Sequence, residues 1–183
     1  MSGSSGAPPM SRHELLVRAK GGDGQAFADL VRPHRSMLWA VCLRVTNHPQ
    51  DAEDALQDCL VAAWHNLANF RGESAISTWL YRIASNAAVA IAKKRNRVDP
   101  VEEIILPASD DSGQVEARMV VAEALGQLTP EHREILVLRE LCDMTYDQIA
   151  DQQGVGVQTV KSRLNRARSR MREVLESTGY RHD

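Results

Sequence analysis

The stretch VKSRLNRARSRMR, residues 160–172, carries six positive charges and no negative one. The cations are Lys161, Arg163, Arg166, Arg168, Arg170 and Arg172. They stand out because the whole chain is slightly acidic, with 22 Lys and Arg against 24 Asp and Glu. Such a row of cations can bind a polyanion such as nucleic acid, or it can form a solvated helix face. Charge alone favours the solvated face, so the neighbouring residues must decide.

A second group of chemically capable side chains is the acidic face of the segment DAEDALQD. Asp51, Asp54 and Asp58 are spaced to lie on one side of a helix, opposite its apolar residues. Such aspartates could bind a metal ion in an enzyme. Alternatively, they could stabilise the helix by interacting with the positive, N-terminal end of its dipole. A metal enzyme would need a second ligand cluster, and no histidines occur at HxxH or HExxH spacing. The sequence therefore predicts no metal site and no cofactor.

The cysteines and the hydropathy pattern predict a cytoplasmic protein. Cys42, Cys59 and Cys142 are odd in number and far apart, which is typical of free, buried thiols in a reducing compartment. No apolar run approaches the roughly 18 residues that span a bilayer. The N-terminus has no basic start followed by an apolar stretch, so no signal peptide and no membrane insertion are expected.

Helices must position both charged groups, because the apolar residues recur at helical spacing. Aromatic residues make up 4% of the chain, and Ala, Leu, Glu, Gln and Arg are abundant, which favours helices over sheets. Two apolar stripes recur at intervals of three and four: Ala52, Leu56, Cys59, Ala63 and Leu67, and then Leu80, Ile83, Ala84, Ala87 and Ile91. The predicted fold class is all-α.

The chain divides into two small helical domains joined by a flexible acidic linker. A flexible N-terminus covers residues 1–10, and the first domain covers 11–98. The linker covers 99–115, where five acids, two prolines and a Ser-Gly pair occur without a base. The second domain covers 116–178.

Capping signals define the ends of several predicted helices. The signals are capping boxes at Ser11 with Glu14 and at Thr145 with Gln148, an N-cap at Thr129 before Pro130, a first-turn proline at Pro49, and a C-cap at Gly154. Pro33 is expected to interrupt the segment that precedes the acidic face.

A short helix, a Gly turn and the basic helix together describe a helix-turn-helix. On the wheel of the basic helix, Val160, Leu164, Ala167 and Met171 form one apolar stripe, while cations and amides occupy the rest. A solvated face normally mixes charge signs, whereas no acid occurs here before Glu173. The early residues of such a helix read the major groove, and later arginines suit phosphates. The neighbours therefore indicate a DNA-binding surface.

The chain resembles the extracytoplasmic-function (ECF) sigma factors over most of residues 20–175. The segment LTPEHREILVLRELCDMTYDQIADQQGVGVQTVKSRLNRARSRMR is similar to their region 4. The segment DAEDALQDCLVAAWHNLANFRGESAISTWLYRIASNAAVA is similar to their region 2. The two segments occur in the family's order with a linker between them. The resemblance implies that the chain is a sigma factor, which directs promoter-specific transcription initiation. It also implies that the chain is not an enzyme.

In region 4, the resemblance implies that the early residues of the basic helix read the −35 promoter element. These residues are Thr159, Lys161, Ser162, Asn165 and Arg166, and the phosphate contacts are Arg163, Arg168, Arg170 and Arg172. Gly156 stands where the family often has Ser or Pro, and Gln158 where it often has Gly. Both departures lie at the start of the recognition helix, so they bear on which −35 sequence the chain would prefer.

In region 2, the resemblance implies that a loop captures a flipped base of the −10 element and promotes melting. The implied −10 contacts are Phe70, Arg71, Gly72, Glu73, Ser74 and Ala75, followed by Arg82 and Asn86. The helical wheel places Arg82, Asn86 and Lys93 opposite the core stripe. Asn86 is therefore expected to be free to reach DNA.

The implied partners are core RNA polymerase, promoter DNA and an anti-sigma factor. Core polymerase would be contacted at its β′ coiled coil and its β flap, with Asp51, Asp54, Gln57 and Asp58 docking on the coiled coil. Two alternatives are a helix-turn-helix regulator with a helical sensor half and an enzyme that uses the aspartates. The segment FRGES…TWLYRIASN favours the sigma factor over the regulator, because a sensor domain has no reason to carry it.

Limited proteolysis of the free protein should cut first between Asp99 and Val115. The reason is the acidic, proline-containing and turn-rich composition of that stretch. Mass spectrometry of the first fragments would locate the cut, and early cleavage elsewhere that spares this stretch would contradict the predicted linker.

Overall fold

The computed structural model describes residues 10–95 and 112–177, and every regular element in these ranges is helical. The helices are α1 (Arg12–Lys20), α2 (Gly24–Val31), α3 (Arg35–Thr46), α4 (Pro49–Asn66), α5 (Ile76–Arg95), α6 (Ser112–Gly126), α7 (Pro130–Leu136), α8 (Tyr146–Gln153) and α9 (Val157–Ser177). The predicted all-α fold class is confirmed. None of the described helices is long and apolar enough to cross a membrane.

Helix ends lie where side chains satisfy free backbone groups. Ser11 with Glu14 and Thr145 with Gln148 form the two predicted capping boxes, at the starts of α1 and α8. Gly154 ends α8 with φ of 62°, a left-handed conformation that glycine adopts without steric cost. These predicted signals are confirmed, and they define the turn that leads into α9.

The first core lies between α3, α4 and α5, where small residues let the helices approach closely. The Sγ of Cys42 lies 4.0 Å from the carbonyl oxygen of Ala84, and the Sγ of Cys59 lies 3.9 Å from that of Leu80. Burial raises the pKa of both thiols to about 12, so both stay protonated. All three cysteines are free, as predicted, although Cys142 is only partly buried.

The second core holds the helix-turn-helix together. Its buried side chains include Ile135, Leu138, Ile149, Val160 and Leu164. The helix predicted after Thr129 continues beyond α7 as a π-helical turn, Val137–Leu141. In that turn the backbone N–H of Cys142 donates to the carbonyl oxygen of Val137 at 3.1 Å. The wider turn directs the chain towards α8.

The two halves contact each other directly along α5. The Oγ of Ser85 donates to Oε1 of Glu134 at 2.9 Å, and both residues are buried. Val137 packs into the first core with 3% of its surface exposed. We define the interdomain seam by its polar residues, which are Arg82, Ser85, Asn86 and Lys93 of α5 and Glu131, Glu134, Gln148 and Gln152 of the second half. The two helical units thus have separate cores but share a contact surface.

Two predicted boundaries fall partly outside the described residues. The predicted flexible N-terminus lies outside them except for Met10, and so does the predicted linker up to residue 111. Helix α6 begins at Ser112, so residues 112–115 are helical and the predicted linker end at 115 is corrected. First-turn N–H groups need no partner within the helix, so a Ser-Gly pair there does not prevent the helix from starting.

Replacing Glu134 with Gln should change how stability depends on pH. Burial, which outweighs the hydrogen bonds from Ser85 and Gln153, raises the pKa of Glu134 above its ordinary value. The folded state therefore holds this proton more tightly than the unfolded state. The stability that it contributes is present below the ordinary pKa and is lost as the pH rises through the raised one. Glu134→Gln abolishes this loss, so the variant should gain stability relative to the wild type as the pH rises through that window.

Urea unfolding at a series of pH values would measure the difference in free energy between the variant and the wild type. Glu123→Gln is the matched control, because it removes an exposed carboxylate from α6. A difference for Glu134→Gln that stays constant, or that moves against the variant with rising pH, would contradict the raised pKa.

Candidate nucleic-acid interface

Helix α9 is fixed by one buried stripe and presents its remaining faces to solvent. Val160, Leu164, Ala167 and Val174 are buried. Met171, which was predicted in the stripe, is partly buried and packs against the second core. The backbone carbonyl of Gly156 accepts hydrogen bonds from the first turn of the helix. Because α8 and α9 are held by this core, the exposed early face of α9 has a fixed orientation.

The five predicted −35 readers lie together on that exposed face. All of Thr159, Lys161, Ser162, Asn165 and Arg166 are exposed. The hydroxyl of Ser162 donates to the carbonyl oxygen of Thr159 at 3.1 Å, so part of its bonding capacity is used locally. The Nζ of Lys161 lies 6.0 Å from the centroid of the Tyr146 ring. Cation and amide donors of this kind can pair with base edges in a major groove.

A groove of about 520 Å³ runs beside the readers, between α9 and the start of α7. Asn165, Arg166 and Arg170 line it from α9, and Thr129 and His132 line it from the other side. Two of the five predicted readers, Asn165 and Arg166, therefore line a concave surface.

The predicted phosphate-binding arginines differ in how free they are. Arg163 is half-buried, and its Nη1 donates to Oε1 of Gln153 at 3.1 Å. The other three are exposed. Arg168 pairs with Glu140 at 2.6 Å and Arg170 pairs with Glu173 at 3.0 Å. Among the described residues, Arg172 makes no ion pair. The positive field of the basic helix is thus partly neutralised by Glu140 and Glu173 within the protein.

The predicted −10 loop is buried at its first residue, Phe70, and exposed at its tip. Phe70 is 7% exposed, and its ring centroid lies 5.2 Å from that of Trp79. The Nζ of Lys20 donates to the carbonyl oxygen of Phe70 at 2.5 Å. Arg71, Gly72, Glu73 and Ala75 are exposed, and Ser74 is partly so. Phe70 therefore anchors the loop, while the next five residues can reach a ligand.

The α5 face that carries Arg82, Asn86 and Lys93 contacts the second half. The Nη2 of Arg82 donates to the backbone carbonyl of Gln148 at 2.8 Å. Asn86 is exposed, but its Oδ1 accepts a hydrogen bond from Nε2 of Gln152 at 3.4 Å. Lys93 pairs with Glu131 at 3.0 Å. The wheel correctly placed these residues away from the first core. Asn86 is exposed, but its amide is hydrogen bonded to the second half, which a helical wheel cannot show.

The acidic face of α4 borders a groove of about 540 Å³ between α4 and the end of α5. Asp54, Gln57 and Asp58 are exposed and line it. Asp51 is less available, because Oδ2 lies 3.3 Å from Nη1 of Arg95. No group of three or more His, Cys, Asp or Glu side chains within 10–95 and 112–177 is arranged to hold a metal ion.

Val61 extends the acidic face by one helical turn. This side chain is 57% exposed, although valine in such a helix is usually buried. Its spacing of three and four from Asp58 and Gln57 places it on the same side of α4. The face therefore combines charge with an apolar contact, which is typical of a protein-binding surface.

Comparisons with known proteins assign both halves of the chain. The family described as Sigma-70 region 2 matches residues 30–98, and the family described as Sigma-70, region 4 matches residues 118–171. The ECF RNA polymerase sigma factor SigM of Mycobacterium tuberculosis is 34% identical over 175 residues, which cover 94% of this chain and 89% of that protein. The RNA polymerase sigma-H factor of Pseudomonas aeruginosa is 31% identical over 179 residues, which cover 89% of this chain and 93% of that protein.

Two solved structures have a similar fold. The sigma factor RpoE of Bartonella quintana, solved in complex with the anti-sigma factor NepR, has a TM-score of 0.69 and 28% identity. That match covers 82% of this chain and 96% of RpoE. CnrH, solved in complex with the cytosolic domain of CnrY, has a TM-score of 0.64 and 29% identity, with 91% of this chain and 97% of CnrH covered.

Two helical units with a helix-turn-helix in the second, matched in order by Sigma-70 regions 2 and 4, define an RNA polymerase sigma factor. More particularly, the chain belongs to the ECF sigma factors, as its similarity to SigM over nearly its whole length shows. It therefore acts in transcription initiation, and the sensor-domain alternative for the first half is wrong.

Three sets of contacts at these surfaces were missed from the sequence. They are Lys20 with Phe70, Glu140 with Arg168, and Gln148 and Gln152 with α5. The partners in the first two pairs, and in the Gln148 bond to Arg82, are 50, 28 and 66 positions apart. Periodicity and capping report only on neighbours within about one helical turn. No sequence signal could therefore have found these contacts.

Proposed function

We propose that this ECF sigma factor directs core RNA polymerase to promoters by reading the −35 element with α9 and opening the −10 element with the loop 70–75. The observation that carries the proposal is the exposed early face of α9, which presents Lys161, Asn165 and Arg166 on a helix fixed by its buried stripe. Helices of this type place their N-terminal residues against base edges.

Region 2 supplies the melting step in this proposal. The buried Phe70 anchors the start of the loop. The exposed backbone and polar groups of the loop can surround an extruded nucleobase. Gly72 has φ of 78°, so a residue with a side chain would be strained at the loop tip. Arg82 and Asn86 follow on α5 and would contact the displaced strand once they are released from the second half.

Region 2 would bind core polymerase through the acidic face of α4. Region 4 would bind the β flap of the polymerase. Asp54, Gln57 and Asp58 are exposed beside the exposed, apolar Val61, so this face suits the β′ coiled coil. The sigma factor would act in the cytoplasm, without catalysing a reaction itself. Because RpoE and CnrH were solved with NepR and with the cytosolic domain of CnrY, we infer that an anti-sigma factor also controls this chain.

One prediction of this proposal compares two arginines at opposite ends of the recognition surface. Arg166→Ala should relax the preference at one or two −35 positions and cost roughly 1–3 kcal/mol of binding, because a base contact is lost. Arg172→Ala should weaken all promoters about equally and reduce the salt slope by about one, because a phosphate contact is lost. Each variant is the control for the other, since both remove one exposed arginine from α9.

A −35 library transcribed by reconstituted holoenzyme at two salt concentrations would measure both effects. If Arg172→Ala changes the −35 preference and Arg166→Ala does not, the opposite end of α9 enters the groove. If the wild-type chain supports no promoter-specific transcription with core polymerase, the proposed function is wrong.

Another prediction of this proposal concerns core binding. Reversing both charges, with Asp54→Lys and Asp58→Lys, should abolish binding to core polymerase without loss of helicity, because cations replace the exposed acidic contacts. Glu173→Lys with Glu176→Lys is the matched control, since it reverses two exposed charges at the far end of α9. Co-purification with core enzyme and circular dichroism are the measurements. Unchanged co-purification of the α4 variant would exclude this face as the docking surface.

A further inference from the structure

The loop that precedes α5, residues 70–75, is fixed at its two ends and has few contacts between them. Phe70 at its start is 7% exposed, and Ile76, the first residue of α5, is 6% exposed. Between them, Arg71 and Glu73 form an ion pair at 4.0 Å, but their side chains are 84% and 79% exposed. Such a pair contributes little, because solvent screens it. The position of the loop therefore depends on how its ends are fixed.

The start of the loop is fixed by a charged side chain from another helix. Lys20 is the last residue of α1, and its Nζ donates to the carbonyl oxygen of Phe70 at 2.5 Å. The same ammonium lies 5.9 Å from the centroid of the Phe70 ring, within the range of a cation–π contact. Within the described ranges, this is the one hydrogen bond that joins residues 70–75 to a residue distant in the chain.

The backbone that carries Lys20 is itself fixed by a tight turn between α1 and α2. Gly22 has φ of 91°, a conformation that glycine adopts without steric cost. Asp23 closes the turn, because it accepts a hydrogen bond from the backbone N–H of Ala26 at 3.0 Å and pairs with Arg18 at 2.5 Å. The side chain of Lys20 therefore joins the loop to a well-anchored part of the first half.

The bond from Lys20 restrains the direction in which the chain leaves Phe70. A charge-assisted hydrogen bond is stronger and shorter than one between neutral groups, so it restrains the carbonyl closely. Without the ammonium, water would bond this carbonyl but would not fix its position. A recognition site that is about 1 Å too loose loses function. The exposed residues after Phe70, which are proposed to surround an extruded nucleobase, thus depend on Lys20 for their placement.

We propose that Lys20 is a positioning residue for recognition of the −10 element. It acts through Phe70, by setting where the loop 70–75 begins, and it does not contact the nucleobase. This inference rests on the proposed function, because it takes the loop as the pocket for the extruded base. It adds a determinant of base preference in α1, outside residues 30–98, which match Sigma-70 region 2.

A direct contact between Lys20 and a DNA phosphate is the alternative role, because the residue is exposed and its ammonium has three donors. The two roles have different signatures. A phosphate contact weakens binding whichever base is present, and on a single strand its loss lowers the salt slope by about 0.7. A positioning contact changes the preference at the extruded base and leaves the salt slope unchanged.

Three variants separate these roles. Lys20→Met removes the ammonium but keeps most of the length of the side chain. Lys20→Arg keeps a charged N–H donor and should restore the wild-type behaviour. Arg12→Met is the matched control, because it removes an exposed cation from the opposite end of α1. Circular dichroism should show the same helicity in all four proteins, since both positions are exposed.

Nuclear magnetic resonance relaxation of the free full-length chains tests the restraint without DNA or polymerase. The backbone order parameters of residues 71–75 should fall in Lys20→Met, while those of α3 and α4 stay unchanged. Lys20→Arg and Arg12→Met should match the wild type. If the order parameters of the loop are unchanged in Lys20→Met, Lys20 does not fix the loop and the inference is overturned.

Binding of reconstituted holoenzyme to non-template-strand oligonucleotides, with each of the four bases at every −10 position, tests the role in recognition. The wild type should prefer one base at the extruded position. In Lys20→Met this preference should fall roughly ten-fold, the scale of one hydrogen bond to a charged group. The salt slope and the preferences at the other positions should stay the same, and Lys20→Arg and Arg12→Met should resemble the wild type.

The remaining outcomes contradict the inference in distinguishable ways. An equal loss for all four bases with a lower salt slope would identify a phosphate contact and overturn the positioning role. A base preference that survives Lys20→Met would also overturn it, even if the loop becomes less ordered. A wild type without a preference at any −10 position would refute the proposed function itself. In that case the role in recognition falls with it, whereas the order parameters still report whether Lys20 fixes the loop.

Discussion

The organisation of region 4 depends on one narrow apolar stripe along a helix that is otherwise charged. Val160, Leu164 and Ala167 are the buried contacts that hold α9 on the second core. Truncating a buried leucine in such a core costs about 2–5 kcal/mol, which is a large share of the stability of a small domain. Because the stripe is narrow, the remaining faces are free to carry cations. The burial that fixes the helix thus also fixes where its cations point.

Helix α5 has the corresponding role in region 2, but both of its sides are used. One side packs into the first core through Leu80, Ala84 and Ala88, which are fully buried. The other side carries Ser85 and Asn86 and contacts region 4. A displacement of α5 therefore affects the first core and the seam together. The two halves are thus coupled through the noncovalent packing of this helix.

The electrostatics of the protein are more balanced locally than the run of cations in α9 suggests. Arg168 and Arg170 are paired with Glu140 and Glu173, and Arg163 is half-buried against Gln153. Exposed pairs of this kind contribute about 0–1 kcal/mol to stability. The paired arginines can therefore exchange a carboxylate for a phosphate at a small cost in free energy. The surface is therefore suited to reversible contact with a polyanion.

The sequence by itself determined the helical elements, their caps and the side on which each helix is buried. These properties follow from interactions within about one helical turn, as at Thr145 with Gln148 and at Gly154, so spacing reveals them. It also determined the family, because the segments resembling region 2 and region 4 are themselves local patterns. It placed the end of the linker too late, since the first turn of α6 tolerates Ser and Gly.

Only the tertiary structure decided what lies against α5. Ser85 and Glu134 are 49 positions apart, and Gln152 is 66 positions from Asn86. Nothing in the spacing of either segment records the other, because the packing of two separately formed helical units brings these side chains together. For the same reason the sequence showed Asn86 as a free polar residue, whereas the folded chain has it hydrogen bonded to region 4. Local periodicity specifies which face of a helix is polar, but the domain arrangement specifies what that face meets.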